Sequence, residues 1–141
     1  MATPEVRSCG FLIFDSPARR EFLLMRHADR FDLPKGHVDG DETEMECALR
    51  ELDEETGYLR QEIEIDPDFR FTLEYEIFSK RLRRRAVKEL VVFLAHLRQR
   101  RDPVCTEHAG FEWRAWSPPH AIQANTIDPL LAAAADHLDG E

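Results

Sequence analysis

Apolar and polar residues follow one another along the chain in patterns that predict several β-strands. Residues 8–15 and Glu21–Arg26 are short apolar runs separated by a Ser-Pro turn signal, as is typical of two neighbouring strands. Apolar and polar positions alternate over residues 69–78, which predicts a strand with one apolar face. Residues 89–97 are apolar on both faces and predict a central strand, and residues 111–116 predict the last strand.

A helix from Glu44 to Thr56 is predicted by its apolar stripe and by both of its ends. Thr43 and Glu46 have the spacing of a capping box, in which each side chain binds a backbone N–H group at the first turn. Gly57 follows the last turn, where a left-handed residue commonly ends a helix. The apolar residues at helical spacing form one stripe: Met45, Ala48, Leu49 and Leu52.

The segments between these elements predict loops and a hairpin. A polar loop is expected over residues 27–33, and a charged, partly apolar connector over residues 59–66. The strands 69–78 and 89–97 should form an antiparallel hairpin whose tip, residues 79–88, is basic.

The C-terminal part of the chain predicts a second helix. Residues 117–119 indicate the start of a short helical turn. Asp128 and Pro129 are suited to the N-cap and the first position of a last helix, which ends by Gly140. The whole pattern predicts one domain over residues 1–141 of the α/β class, with a mixed sheet and helices on both faces in an α/β/α sandwich.

The composition fits a globular protein and argues against several other classes. Hydrophobic residues make up 43% of the chain, and no run of about 18 apolar residues is present, so we expect neither a membrane span nor a secretory signal. The formal charge of −9 argues against broad nucleic-acid binding, so a polyphosphate would need a local positive site. The three cysteines have no paired spacing, which suits a reducing cytoplasm. The sequence leaves the oligomeric state open.

The stretch of residues 36–58 holds the candidate chemistry. Arg50 is followed at once by four carboxylates within five residues: Glu51, Asp53, Glu54 and Glu55. On a helix, Glu51, Glu54 and Glu55 lie within about one turn, so they repel one another unless a cation lies between them. Such oxygen ligands favour Mg²⁺ or Mn²⁺ over zinc. A solvated acidic helix face is the ordinary alternative for glutamates, but the preceding glycine loop and the arginine favour a metal site.

This stretch resembles the Nudix box, G-x5-E-x7-R-E-U-x-E-E-x-G-U, in which U is a bulky apolar residue. Residues of this chain match eight of its positions: Gly36, Glu42, Arg50, Glu51, Leu52, Glu54, Glu55 and Gly57. The last U position holds Tyr58 where Ile, Leu or Val is usual, a departure that should affect packing and not chemistry. The resemblance implies the Nudix fold and a metal-dependent hydrolase of nucleoside diphosphates linked to another group.

The resemblance also assigns roles within the box. It implies that Mg²⁺ or Mn²⁺ is bound by three carboxylates, one of which also orients or deprotonates the attacking water: Glu51, Glu54 and Glu55. The Gly36 carbonyl is a further candidate ligand. Arg50 and Glu42 are expected to form a structural ion pair that holds the loop to the helix, and Gly57 ends that helix.

Shorter matches within residues 8–120 resemble the asymmetrically cleaving diadenosine tetraphosphate hydrolases of the Nudix family. They are SCGFLIF, EFLLM, PKGHV, LEY, KELVVFLA and TEHAGFEW. This resemblance implies that water attacks a phosphorus of the P–O–P chain and gives a nucleoside triphosphate and a monophosphate. It further implies phosphate contacts from Lys35 and Lys88, and base stacking by Tyr75. Glu107 would bind metal or act on the water.

Each of these roles has a structural alternative. Tyr75 lies on the apolar face of its predicted strand and could belong to the core. Lys35 could be an exposed loop lysine, and Lys88 could simply flank a strand. Glu107 could be an ordinary loop carboxylate.

The histidines and the basic tip are further candidates. His37 is a candidate substrate contact, while His37 and His108 are both expected to be structural residues or neighbours of the metal ligands, and not ligands themselves. The tip, which includes Arg83 and Arg85, is either a solvated turn or an arm that binds phosphate over the metal site. It is the densest positive region of an acidic chain, which favours the arm.

One aromatic residue that the resemblance implies is missing. A second base-stacking ring is expected near the last helix, but residues 125–127 contain none. Phe111 or Trp113 could replace it, or the second nucleoside could be held loosely.

Three hypotheses for the function differ in the products that they predict. A dinucleoside polyphosphate hydrolase would give a triphosphate and a monophosphate. A Nudix pyrophosphohydrolase of a nucleotide sugar, an RNA 5′ end or a diphosphoinositol polyphosphate would give a sugar phosphate or orthophosphate, and the basic tip keeps the most anionic of these substrates open. A nucleotide sensor would bind without turnover, although the intact glutamate set argues against it.

Overall fold

Strands and two α-helices follow one another in the computed structural model, which describes residues 4–105 and 110–140. In chain order the elements are β1 (Val6–Phe14), β2 (Glu21–Arg26), β3 (Phe31–Asp32), β4 (Lys35–His37), α1 (Glu44–Thr56), a 3-10 turn (Arg60–Glu62), β5 (Ile63–Ser79), β6 (Arg84–Leu97), β7 (Gly110–Ala115) and α2 (Ile127–Asp139). Within these described ranges, no helix has both the length and the apolar character that crossing a bilayer requires.

Strand β1 lies inside a seven-stranded mixed sheet. It runs parallel to β6 from the pair Val6–Lys88 to the pair Phe14–His96, and antiparallel to β4 and β2 on its other edge. Strands β5 and β6 form the predicted antiparallel hairpin, while β3 and β7 pair with β2. The predicted mixed sheet is therefore confirmed.

Each face of the sheet is covered by one helix and has its own core. Successive residues of β1 point to opposite faces. Phe11 and Ile13 therefore pack on the α1 side with Ala48 and Leu52, and Leu12 packs on the α2 side with residues such as Leu130 and Leu131. Strand β6 supplies both cores in the same alternating way, as its run of apolar residues predicts. The two helices thus complete the predicted α/β/α sandwich.

Helix α1 has the predicted bounds and the predicted ends. The Thr43 side chain accepts a hydrogen bond from the Glu46 backbone, and the Glu46 carboxylate accepts one from the Thr43 backbone. Gly57 ends the helix with φ 77°, in the left-handed region that favours glycine. These local contacts set where the acidic face of α1 begins and ends.

Tyr58 is fully buried directly after this helix. Its hydroxyl donates to the Arg101 carbonyl at 2.6 Å, and the Arg101 guanidinium lies 4.7 Å from the ring centroid. The departure from the box pattern at this position therefore adds a hydrogen bond and a stacked cation to the core.

Several predicted boundaries were wrong in the loops around the sheet. The expected loop and its continuation contain strands β3 and β4, and β5 begins at Ile63 within the expected connector. A break in register between Ile65 and Arg70 surrounds Pro67, which removes one backbone donor from the ladder and hides the strand in the sequence. Strand β6 begins at Arg84, so the hairpin turn is only residues 80–83.

The start of α2 and the segment before it also differ from the prediction. The helix begins at Ile127 after Thr126, so Asp128 lies inside it. The Asp128 carboxylate accepts hydrogen bonds from the backbone of Ile122 and Gln123 at 2.8 and 3.1 Å, and so fixes the preceding loop to the first turn. Residues 118 and 119 form a bend, so residues 117–119 do not start a helical turn.

Candidate active site

The Glu51 carboxyl lies directly against the backbone of Gly36. A Cβ atom at Gly36 would be 1.9 Å from Glu51 Oε1 and 2.1 Å from its Cδ, so only glycine leaves room for this carboxyl group. Strand β4 is held at this place because it pairs with the first half of β1, with Gly36 opposite Cys9. The Glu51 side chain is mostly buried, at 13% exposure.

Glu55 is the most buried carboxylate of the acidic cluster in the described chain, with 6% exposure. Burial and then the charge of Glu51 raise its pKa to about 8, against a hydrogen bond from the Lys35 backbone that acts in the opposite direction. Glu54, by contrast, is half exposed. The helix explains the difference, since Glu55 is three residues from the buried Leu52 and turns toward the sheet.

Arg50 connects the loop to the acidic face of α1. Its guanidinium donates to both Glu42 oxygens at 2.7 and 2.9 Å and to the His37 carbonyl at 2.9 Å. It also approaches Glu54 at 3.2 Å and Glu51 at 3.3 Å. The hydrogen bond from Arg50, and after it one from the Asp39 backbone, lowers the pKa of Glu42 to about 2. Glu42 and Arg50 thus form the ion pair expected between loop and helix.

The chemistry of this group fits a hard divalent cation. Glu51 and Glu55 are two mostly buried carboxylates that repel one another, and a cation between carboxylates removes such repulsion. Their oxygen donors, with those of Glu54, are the kind that Mg²⁺ and Mn²⁺ prefer. In the structure Glu54 lies against Arg50, and no three acidic, histidine or cysteine side chains among the described residues form a complete metal cage. Glu107 and His108, predicted near this site, lie outside the described residues.

A second, basic group lies beside the acidic one. Lys88 is 9% exposed. It is paired with Tyr75 in the β5–β6 ladder, and its Nζ atom lies 5.9 Å from the centroid of the Tyr75 ring. Burial and then the charge of Lys35 lower the pKa of Lys88 to about 8. The Lys35 ammonium is 3.3 Å from Asp32, a residue that sequence reasoning missed because it lies in the segment predicted as a loop.

Lys35 joins the two groups. Its backbone hydrogen-bonds Glu55, and its side-chain charge acts on both Glu55 and Lys88. The strand β4 therefore places an acidic cluster and a buried cation next to one another.

A family model described as the NUDIX domain matches residues 4–138. The chain belongs to the Nudix family. It is a Nudix hydrolase, as the box predicted.

Two tetraphosphate hydrolases match this Nudix hydrolase along most of its length, and a viral decapping protein matches a shorter stretch. The chain is 32% identical over 120 residues to the asymmetrical bis(5′-nucleosyl)-tetraphosphatase of Mus musculus, an alignment that covers 77% of this chain and 78% of the mouse protein. A crystal structure of a C. elegans Ap4A hydrolase binary complex superposes with a TM-score of 0.82 at 29% identity, over 96% of this chain and 99% of that chain. The mRNA-decapping protein g5R of African swine fever virus is 40% identical over 45 residues, which are 32% of this chain and 18% of the viral protein.

His37 is exposed at the rim of the Nudix site, and a residue of the hairpin tip approaches it. Desolvation and the positive charges of Lys88, Lys35 and Arg81 lower the pKa of His37, so its neutral form is favoured. Arg81 and His37 line the same cleft, of about 420 Å³. Arg81 was part of the predicted basic tip but was not singled out, because a turn sequence does not show which of its side chains turns inward.

Arg83 and Arg85, the two arginines of the tip that were predicted to contact substrate, have surroundings different from those of Arg81. Arg83 occupies the last position of the hairpin turn, with φ 58°. Arg85 pairs with Glu76 at 3.2 Å, and both side chains are largely exposed. Their proposed contact with substrate stays a prediction, whereas Arg81 of the same tip lines the cleft beside His37.

The candidate replacements for a second base-stacking ring lie on the face of the sheet opposite to Tyr75. Phe111 and Trp113 pack against the α1-side core, whereas Tyr75 packs against the α2-side core. Trp113 also donates to Asp102 at 2.9 Å and stacks with Arg100, 4.8 Å from its ring centroid. These two rings therefore lie apart from Tyr75, and their role toward a second base stays a prediction.

Tyr75 opens onto a cleft of about 600 Å³ between β5 and the loop before α2. Arg30 and Gln123 lie in its wall together with Tyr75. Tyr75 is half-buried, so its ring is both part of the α2-side core and part of the cleft surface. The structural and functional alternatives for this residue are thus compatible.

Proposed function

We propose that this Nudix hydrolase cleaves dinucleoside polyphosphates asymmetrically, converting diadenosine tetraphosphate to ATP and AMP with a divalent cation. The observation that carries the proposal is the joint placement, through Lys35, of the acidic cluster, the buried Lys88 and the Tyr75 cleft. A nucleotide chain needs these three surfaces in sequence: a base site, cations for phosphates and a hydrolytic centre. The match to the mouse tetraphosphatase over most of the chain supports this substrate class.

Glu51, Glu54, Glu55 and the Gly36 carbonyl would hold Mg²⁺ or Mn²⁺, with Glu107 as a further carboxylate outside the described residues. When bound, the cation neutralises phosphoryl oxygens and acidifies water. Water oxygen forms a bond to one phosphorus while the bridging P–O bond at that phosphorus breaks. The bridging oxygen leaves with the other nucleotide, and a carboxylate of the cluster accepts the proton that water releases.

Lys35 and Lys88 would neutralise the polyphosphate on the other side of the reacting bond. Lys88 has a pKa of about 8 in the folded chain, and nearby phosphate oxygens would favour its charged form. Arg81 extends this positive surface past His37. The chain thereby provides local positive charge within a protein of formal charge −9. The three free cysteines fit our prediction of a cytoplasmic location.

A substrate panel in ¹⁸O-labelled water, run with Mg²⁺ and with Mn²⁺, tests the proposal. We expect diadenosine tetraphosphate to be the preferred substrate and the label to appear in only one of the two products, ATP or AMP. Preferred release of orthophosphate from RNA 5′ ends or of a sugar phosphate would assign a different pyrophosphohydrolase activity. Tight nucleotide binding without turnover would identify a sensor.

A further inference from the structure

The Tyr75 cleft presents one aromatic ring and one planar cation to any nucleotide that enters it. We propose that the Arg30 guanidinium stacks on the base that Tyr75 receives, so that base binding depends on Arg30. This inference rests on the proposed function, because it takes the Tyr75 cleft to be a nucleotide site. Among the described residues that line the cleft, Tyr75 carries the only ring, and Arg30 is the only one with a cationic side chain.

Arg30 is close enough to Tyr75 to act on the same ligand. Both residues line the cleft, and the charge of Arg30 lowers the pKa of the Tyr75 hydroxyl against the larger opposing effect of burial. The same charge acts on Lys88, the cation beneath the Tyr75 ring. Arg30 therefore belongs to the electrostatic surroundings of the proposed base and phosphate sites, although it is far from both in sequence.

The backbone at Arg30 is held from both sides. Its carbonyl accepts a hydrogen bond from the His27 N–H at 2.8 Å, which closes the turn before β3. The next residue, Phe31, is bound by the Gln123 side-chain amide, which accepts from the Phe31 N–H at 3.2 Å and donates to its carbonyl at 3.1 Å. Gln123 lies in the wall of the same cleft. The loop before α2 thus fixes the backbone at Arg30, from which its side chain extends, relative to the cleft.

The Arg30 side chain is available for a ligand. It is 55% exposed, and its ion pair with the 81% exposed Asp29 is 3.6 Å long. Such an exposed pair contributes little and is easily exchanged for another contact. The Gln123 amide, by contrast, is occupied by Phe31 and by the Thr126 hydroxyl. Of these two side chains in the cleft wall, Arg30 is therefore the one that can turn toward a base.

A guanidinium is suited to this contact in a way that an ammonium is not. It is planar and weakly hydrated, and it stacks on π-faces, whereas lysine carries a compact, strongly hydrated charge. A base that lies on the Tyr75 ring still has a second face exposed to water. Stacking of Arg30 on that face would remove it from water and add a cation–π attraction.

Direct binding of two ligands by calorimetry, in the presence of Mg²⁺, separates stacking from simple charge attraction. ATP has a base, and inorganic tripolyphosphate has a three-phosphate chain without one. For both Arg30→Ala and Arg30→Lys we expect the Kd of ATP to rise about tenfold while the Kd of tripolyphosphate stays within about twofold of the wild-type value. The matched control is Arg26→Ala, because Arg26 is an exposed arginine near the same loop but outside the cleft, and its Kd values should be unchanged.

The remaining outcomes overturn the inference. Equal weakening of both ligands in Arg30→Ala, with recovery in Arg30→Lys, would make Arg30 a phosphate contact. Unchanged binding of ATP in Arg30→Ala would show that the residue takes no part. Because binding is measured without turnover, failure to hydrolyse diadenosine tetraphosphate would reject the proposed function separately and would leave the ATP result interpretable.

Discussion

Replacing Gly36 with alanine is expected to disable the Nudix site without removing any ionisable group. The added methyl would lie 1.9 Å from Glu51 Oε1, whereas ordinary contacts begin at 3.4 Å. The backbone at Gly36 has no positive φ, so alanine can adopt its conformation. The conflict must therefore be relieved by moving the Glu51 carboxyl away from strand β4.

The size of that movement sets the expected loss. The carboxyl must retreat by well over 1 Å, from 1.9 Å to at least 3.4 Å from the new methyl group. A misplacement of about 1 Å in a catalytic group can cost about 100-fold in rate, so we expect kcat of Gly36→Ala to fall at least about 100-fold. The moving atoms end a flexible side chain, so the unfolding free energy should stay within about 1 kcal/mol of the wild-type value.

Gly40→Ala is the matched control, because it adds the same methyl to the turn that directly follows β4. A Cβ at Gly40 meets nothing within 4 Å, but φ is +52°, a conformation that costs alanine about 1 kcal/mol. We expect this variant to lose about that much stability, measured by urea denaturation, and to keep its kcat. A kcat of Gly36→Ala within threefold of wild type would refute the reasoning, since Glu51 would then not need its place at Gly36.

Three further substitutions test separate parts of the structure. Glu55→Gln should lower kcat by about 10²–10⁴-fold while preserving the fold. With divalent cations chelated, Glu55 should make wild-type stability fall as pH rises from 4.5 to 8, because the folded chain keeps the proton of Glu55 (pKa about 8) after the unfolded chain has released it. This contribution, at most about 1.4 kcal/mol per pH unit, should be lost in the variant. Lys88→Met should raise the KM for the dinucleotide about 10- to 100-fold without loss of stability, since a buried ammonium is replaced by an apolar chain of similar length. Tyr58→Phe removes the 2.6 Å hydrogen bond to Arg101 and should lower the unfolding free energy by about 1 kcal/mol with unchanged kcat.

Other results would contradict these expectations individually. Equal pH slopes in wild type and Glu55→Gln would mean that Glu55 does not hold its proton in the folded chain. An unchanged KM in Lys88→Met would show that Lys88 does not make the proposed phosphate contact. A large kcat defect in Tyr58→Phe would show that this position affects chemistry as well as packing.

Local contacts explain why helix α1 could be predicted in detail. Its capping box, its apolar stripe and its terminal glycine each depend on residues within about one turn, so the sequence contains the whole signal. The same periodicity could have separated Glu55 from Glu54, because Glu55 follows the buried Leu52 by three residues. The start of α2 depends on a contact outside the helix, because Asp128 binds the backbone of the preceding loop. The sequence pattern at the helix start did not predict this contact.

Strand β4 shows what the sequence could not reveal. Lys35, Gly36 and His37 have no strand pattern of their own, and they are extended because the edge of β1 supplies their hydrogen-bond partners. The approach is close: a Cβ on Gly10 would be 2.4 Å from the Pro34 carbonyl oxygen. Long-range pairing of this kind also brings Asp32 and Arg30 near Lys88, and a single-sequence pattern contains no information about which distant strand completes a short one.

The pKa values of the two buried ionisable groups of the site, Glu55 and Lys88, are shifted in opposite directions, and Lys35 of strand β4 acts on both. Burial disfavours the charged forms of both Glu55 and Lys88, raising one pKa and lowering the other to about 8 in each case. Neither side chain gains from this burial in the folded chain alone, since each would be better solvated at the surface. A cation held by Glu55 and a polyphosphate held by Lys88 would each favour the charged form and offset that cost. Lys35 contacts Glu55 through its backbone and acts on Lys88 through its charge. In the proposed function the same residue would therefore fix the positions of both ligands, and a phosphate attracted by Lys88 would lie beside the carboxylates of α1.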